Sequence, residues 1–447
     1  MSISWKGRVR TRIAWDRMRV NFWFTPLIMS VLSILLAWTL GWVDAQIPNE
    51  MVWVSRLVKI GDVAETRMFL INLGSTLLVT AGVVFSLLMV PLSAMASQYG
   101  SRLLRHFMGD RTTQFVLGMF VSTFVYCWAV AETLPLVAEN WEMPQLALMA
   151  AVLLLLASFA SLILLITHFS TMMQAPTIAA VAGAELLDAV RAGAPAGTRS
   201  GTHPGPSDTL PDPPMETKGF PVRVTKYGYI QYIDPDHLFA LGRKKDIVID
   251  LRRKTGHFVG PEDVVGYVWP ADRADASLEA QVRQAFHIGK RRTPTQDVGY
   301  AVSLLSEMAL RAMSPAINDP FTAMTCLDYL GKGLALFIRQ GETGSRYYDP
   351  DGRLRIIFEP VTFDEMAAAA FDPLRHASRD SAPVLQQMLD VIAAIGREAA
   401  SPGPRQTLVR QARLIQEEAR SSNLIEEDRQ SICRSAELLK ATLTCPS

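Results

Sequence analysis

Apolar residues run without a charged side chain through four N-terminal stretches, Phe22 to Val43, Met68 to Pro91, Thr112 to Ala131 and Met143 to Thr167. Each is long enough to cross a bilayer, since a spanning helix needs roughly 20 apolar residues. The pattern predicts a membrane bundle of four transmembrane helices over residues 22–176, behind a basic cytosolic segment, residues 1–21. Helical spacing continues from Thr177 to Val190 through Ile178, Val181, Leu186, Leu187 and Val190, which predicts an extension of the fourth span. From Arg191 to Gly219, prolines at 195, 204, 206, 211, 213 and 214 alternate with glycines. Such a composition buries no core, so 177–219 reads as helical extension and linker.

Beyond the linker the period changes. Val222 to Thr225, Gly228 to Ile233, Asp246 to Leu251, His257 to Val259 and Val264 to Trp269 read as strands, with Asp234, Pro235 and Asp236 opening a short helix. From Ser277 the pattern is helical again, interrupted at Ser314 to Thr322 and around Tyr347 to Phe358. The expected fold class is an α-helical integral membrane bundle followed by a cytosolic α+β region. That region comprises a small β module over 220–276 and a mainly helical module over 277–447.

Charge in the connecting segments sets the orientation, because short cytoplasmic segments are rich in Lys and Arg. The N-terminal segment holds Lys6, Arg8, Arg10, Arg12, Arg17 and Arg19, and the second connection holds Arg102, Arg105 and Arg111. The Asp44 to Arg67 connection is acid-balanced, and the third carries Glu132, Glu139 and Glu142 with no Lys or Arg. Both termini, and everything after Thr167, are therefore expected in the cytosol. The first run exceeds a signal-peptide apolar region and lacks a small-x-small cleavage site after Trp42, so it reads as an uncleaved span flanked by Trp23 and Trp42.

The second span carries no Asp, Glu, Lys or Arg from Met68 to Ser101, more than one perpendicular crossing needs, and Pro91 is the expected break. Ser75, Gly82, Ser86 and Ser93 fall on one helical stripe of small residues, which favours close helix approach. The stripe reads either as a packing face, within the bundle or between subunits, or as a pore lined by Asn72, Ser75, Thr76, Thr80 and Ser86. No acidic or basic residue lies at membrane depth, which weighs against proton-coupled transport. His168 reads as interfacial.

Candidate chemistry is sparse. The net charge of +1 with 19% charged residues argues against a nucleic-acid partner. Cys127, Cys326, Cys433 and Cys445 form no C-x-x-C pair. There is no G-x-S-x-G, H-E-x-x-H or G-x-G-x-x-G, and the seven histidines lack metal-ligand spacing. No catalytic residue, cofactor site or metal site is assigned, and no enzyme activity is expected. Around the Ser314 to Thr322 break, His287, Lys290, Arg291, Arg292, Asp297, Arg311, Asn318 and Asp319 form a polar set suited to an anion or small ligand. The plainer reading is a helix corner with Asn318 or Asp319 as N-cap and Pro320 at the first helical position. The clusters Arg252-Arg253-Lys254 and Lys290-Arg291-Arg292 read as solvated faces or as contacts to anionic lipid.

Two resemblances bear on this. Lys254-Thr255-Gly256-His257-Phe258-Val259, then Gly260-Pro261-Glu262-Asp263 and Val264-Val265-Gly266-Tyr267-Val268, resembles the barrel-sandwich of lipoyl and biotinyl modules. Neither Lys245 nor Lys254 has the neighbours of a modified lysine, so a packing or docking module without a tethered cofactor is expected. Ala81 to Ser86 with Ser97 to Leu104, Arg292-Thr293-Pro294 with Gln296-Asp297, and Ala309 to Ala323 containing Asn318-Asp319-Pro320-Phe321-Thr322 are similar to bacterial proteins of domain-of-unknown-function family 2254. That resemblance covers nearly the whole chain and implies a multi-pass protein of the bacterial inner membrane. It carries over no catalytic residue. The expected roles are a membrane-anchored cytosolic sensing, docking or scaffold module, or an oligomeric conduit for a small solute or ion gated from the cytosol. The expected partners are the lipid bilayer, further copies of the chain, and a cytosolic protein or small ligand.

Overall fold

The computed structural model describes residues 23–44, 46, 63–99, 110–137, 145–192, 218–293, 296–341, 346–359 and 361–444. The basic N-terminal segment, Arg102 and Arg105, most of the two expected external connections and the proline-rich linker lie outside the described residues. The chain divides into two compact units, Met1–Gln174 and Ala175–Ser447.

The first unit contains α1 (Phe24–Asp44), α2 (Val63–Tyr99), α3 (Arg111–Val137) and α4 (Gln145–Met172). Helix α3 is central, packing against each of the other three. Val116, Phe120, Thr123, Cys127, Val130 and Ala131 are buried along it at helical spacing. Leu27, Val31, Leu35 and Trp38 of α1 and Leu156, Ile163 and Leu164 of α4 are instead exposed, apolar surface of the kind that belongs against lipid. Side chains tie the helices at both ends. At one end Thr25 Oγ1 donates to Gln114 Oε1 at 2.8 Å, and His168 Nε2 lies 3.2 Å from Asp110 Oδ2. At the other, Arg67 meets Glu132 at 3.0 Å, and the Asp44 carboxylate accepts the N–H groups of Leu146 and Ala147, both at 3.0 Å. Asp44 thus supplies from α1 the cap that the first turn of α4 requires.

Two expectations for this region change. The backbone of α2 stays helical through position 91, giving 37 residues, roughly 55 Å at 1.5 Å per residue. A proline removes one amide hydrogen bond, and membrane helices commonly absorb that loss. Residues 177–190 do not extend the fourth span. Helix α4 ends at Met172, Met173 and Gln174 turn, and α5 (Ala175–Ala192) belongs to the second unit. Pro176 has no N–H to continue the ladder but suits the first turn of a new helix. Ile178, Ala179, Ala182 and Leu186 of α5 are buried, and the helix packs against α8 (Val298–Ala312) and α9 (Pro320–Gln340).

The second unit combines sheets and helices. Strands β1 (Phe220–Arg223), β2 (Gly228–Ile233), β3 (Val248–Leu251), β4 (Phe258–Val259) and β5 (Val264–Trp269) lie where alternation predicts them, with α6 (Pro235–Lys245) capped by Asp234. Helix α7 (Ala276–Arg283) precedes β6 (Phe286–Gly289), and β7 (Arg346–Tyr348) and β8 (Leu354–Phe358) come much later. A five-stranded sheet has the order β1-β5-β3-β8-β7, and a three-stranded sheet the order β4-β2-β6. The β3–β8 pair is parallel, with Ile249 opposite Ile356. One core joins Val222, Ile230, Leu238, Ile249 and Val265 to Leu278, Val282, Phe286 and Ile356. The expected barrel-sandwich closed within 220–276 is not what forms, because strands from beyond residue 276 complete both sheets. The remaining helices are α10 (Phe363–Ala377), α11 (Ala382–Gly396), α12 (Pro402–Ser421) and α13 (Glu426–Thr444).

A buried ion cluster closes one side of the larger sheet. Arg355 on β8 is 5% exposed and donates from Nε to Asp349 at 2.8 Å and from Nη1 to Asp246 at 2.9 Å. Asp349, 4% exposed, also accepts the backbone N–H groups of Asp351 and Arg353. Asp246, the left-handed C-cap of α6, is held at a pKa of about 2 by hydrogen bonds from Arg273 and Arg355.

Candidate functional site

Two loops that are separate in sequence meet on the second unit. One is Arg252 to His257, between β3 and β4; the other, between β6 and α8, is described at Lys290 to Thr293 and at Gln296 and Asp297. Asp297 is the N-cap of α8, accepting from Tyr300 N at 2.9 Å, and it is 5% exposed. Arg292 reaches it with two parallel hydrogen bonds, Nε to Oδ2 at 2.8 Å and Nη2 to Oδ1 at 2.9 Å, while its guanidinium lies over the Tyr300 ring. Planar pairing of this kind fixes the guanidinium in place.

The first loop lies directly on this pair. Gly256 has φ +89, and a Cβ there would stand 2.2 Å from Asp297 Oδ2 and 2.9 Å from Arg292 Nη2. Thr255 Oγ1 donates to the Gln296 carbonyl at 3.0 Å, and Gln296 exchanges hydrogen bonds with the backbone of Ile233. Lys254 Nζ donates to both carboxylate oxygens of Glu365, at 3.0 and 3.1 Å, and lies 3.7 Å from Glu359. His257 Nδ1 is buried without a hydrogen-bond partner. Burial, with help from Lys254 and Arg253, pushes the His257 pKa below its usual value against the opposing pull of Glu359 and Asp297, so the ring is neutral near pH 7.

The two basic clusters therefore sit on loops that touch, through Thr255 on Gln296 and Gly256 on the Arg292–Asp297 pair. Lys254 and Arg292 are spent internally, whereas Arg253, Lys290 and Arg291 are exposed and have no ion-pair partner among the described residues. His287, on the edge strand β6, is also exposed and packs its ring 5.8 Å from that of Tyr232. The arrangement is suited to binding an anion on a rigid platform. Among the described residues no group of three or more His, Cys, Asp or Glu is placed to hold a metal ion.

The polar set expected from sequence is divided by α8. His287, Lys290, Arg291, Arg292 and Asp297 lie at its start. Arg311, Asn318 and Asp319 lie at its far end, about 20 Å away at 1.5 Å rise per residue. There Arg311 pairs with Glu307 at 3.2 Å, Asn318 takes φ 47, and Asp319 caps α9 by accepting from Thr322 N at 3.1 Å, with Pro320 in the first turn. This second group forms the helix corner. Sequence reasoning does not join Thr255, Gly256 and Glu365 to the site, because their partners Gln296, Asp297 and Lys254 are brought to them only by the fold.

The membrane stripe is an outer face. Asn72, Ser75, Thr76, Gly82, Ser86 and Ser93 are exposed and Thr80 is half-exposed. The hydroxyls of Ser75, Thr76 and Thr80 donate to carbonyls four residues back, each at 2.8 Å. A Cβ at Gly82 would meet nothing within 4 Å. Leu70, Leu77, Ala81, Val84 and Leu88 form the buried face of α2. Helix α2 instead comes close to α3 at Gly74, where a Cβ would lie 3.3 Å from Phe124 and 3.4 Å from Cys127, and α1 comes close to α3 at Gly118, where a Cβ would lie 2.6 Å from Met29 Sδ and 3.4 Å from Pro26 Cα.

The sequence model of a family described as predicted membrane protein, DUF2254, matches residues 19–394. An uncharacterised protein of Mycobacterium bovis is 26% identical over 391 residues, covering 86% of this chain and 74% of the relative. An uncharacterised protein of Mycobacterium tuberculosis matches with the same identity and coverage. No solved structure matches the chain.

Proposed function

We propose, since the chain belongs to the DUF2254 family of predicted membrane proteins, that it is an inner-membrane anchor carrying a cytosolic sensing or docking module for an anionic ligand or protein surface. The observation that carries this reading is the contact between two loops, Gly256 against the Arg292–Asp297 pair, each of which bears exposed basic residues, Arg253 on one and Lys290 and Arg291 on the other. Four spans, with both termini in the cytosol, fit the positive-inside pattern. Among the described residues five helices are long and apolar enough to cross a membrane, the fifth being α9. We read α9 as a core helix of the cytosolic module, because it packs on α5, α8 and α11 and its Asp328 accepts from Gln387 at 2.7 Å. The module acts by binding, without a reaction of its own.

The test uses the full chain in detergent with pyrophosphate and an acidic peptide as separate probes. Salt-sensitive binding of at least one is expected, weakened about tenfold or more when Arg253, Lys290 and Arg291 are all changed to Glu, since each charge near a bound anion contributes up to about 1 kcal/mol. Equal binding by the wild type and the triple variant would remove the basis for this site.

One observation favours a second reading, in which copies associate through α2 and form a conduit. The exposed stripe with open space at Gly82 suits close approach of another helix. Single cysteines at positions 75 and 86 should then cross-link between copies in native membranes, and Gly82→Leu should abolish the cross-links. Absence of cross-links at both positions would leave a monomeric anchor.

A further inference from the structure

A cleft of about 320 Å³ opens between α1 and α3, lined by Thr25, Ile28, Met29, Arg111, Gln114 and Phe115 among others. Gln114 is only 1% exposed. Its Oε1 accepts from Thr25, but its Nε2 has no hydrogen-bond partner. An unmet donor at such depth costs about 1–3 kcal/mol, so the site gains from any acceptor that reaches it. Arg111, the first residue of α3, stands exposed at the same cleft with no ion-pair partner among the described residues. The nearby carboxylate of Asp110 is already engaged by Thr113 and His168. Ile28 and Phe115 are exposed beside the polar groups and continue the apolar outer surface of α1.

These features share one chemistry: a cation and a buried amide donor at the end of a span, next to an apolar groove. We propose that the cleft binds a single anionic phospholipid of the leaflet on the Arg111 side, its phosphate at Arg111 and an ester or phosphate oxygen accepting from Gln114, with an acyl chain along Ile28 and Phe115. A lipid is favoured over free phosphate because the groove is mostly apolar and opens onto the lipid-facing side. Basic pockets between spans on the cytoplasmic side are suited to such headgroups. This site lies in the first unit and is independent of the loop surface of the second.

Native mass spectrometry of the delipidated full chain tests it, by titration with phosphatidylglycerol, phosphatidylcholine and inorganic phosphate. The expected result is one phosphatidylglycerol per protomer, bound about tenfold more tightly than phosphatidylcholine and not displaced by millimolar phosphate. Arg111→Gln, at an exposed position, and Gln114→Leu, of similar size, should each bring phosphatidylglycerol down to the phosphatidylcholine level. Should Gln114→Leu fail to fold, Arg111→Gln alone decides. Equal binding of the two lipids, displacement by phosphate, or phosphatidylglycerol retention unchanged in Arg111→Gln each overturn the proposal.

Discussion

Replacing Arg355 by Met is expected to destabilise the second unit by about 3–5 kcal/mol, because it strands a buried carboxylate whose partner is gone. Asp349 would keep its two backbone donors but lose the guanidinium 2.8 Å away. The same change would release Asp246 from one of the two arginines that hold its carboxyl at about 2. Arg353→Met is the companion measurement, since Arg353 is exposed and only 3.4 Å from Asp246, an arrangement worth less than about 1 kcal/mol. Chemical unfolding of the full chain in detergent reads both. If the two variants lose equal stability, the buried cluster is not the fastening described here.

Gly256→Val has the second large effect. The substitution places a Cβ in the space occupied by the Asp297 carboxylate and imposes a branched side chain on a φ of +89. Backbone strain and displacement of the Arg292–Asp297 pair together should cost about 2–4 kcal/mol. Gly352→Val separates the causes, because Gly352 has φ +76 but nothing within 4 Å of its Cβ position. It should show the strain alone. A further outcome belongs to Gly256→Val: binding of anionic probes should fall with stability, since the two basic loops lose their common support. Comparable losses in both glycine variants would show that the contact with Asp297 contributes nothing.

The long apolar helices of the first unit were legible because lipid requires uninterrupted apolarity over a fixed length. The same demand hid which side faces inward. Val84 and Leu88 are buried while Val83 and Leu87 are exposed, and no difference in polarity marks one pair from the other. Local rules also revealed the helix starts at Asp234 and Asp319, where an acid precedes a helix and its side chain accepts from the third residue on; Asp297 caps α8 in the same way, but its sequence context suggested a ligand-binding set instead. Strand β8 escaped because its parallel partner β3 lies about a hundred residues earlier, and parallel pairing leaves no hairpin signal between them. The candidate site was half legible for a similar reason. Arg292 and Asp297 are five residues apart, but Gly256 meets them only through the fold.

Helix α5 follows the fourth apolar helix directly, yet the helices it packs against, α8 and α9, end only at Gln340. During synthesis at about 5–20 residues per second, α5 waits roughly 7 to 30 seconds for α9 to be completed. Ile178, Ala182 and Leu186 spend that interval without the partners that bury them in the finished protein. The nascent chain is therefore open to aggregation and proteolysis after its fourth apolar helix has been made, and an event that halts translation before Gln340 leaves an apolar helix unmatched.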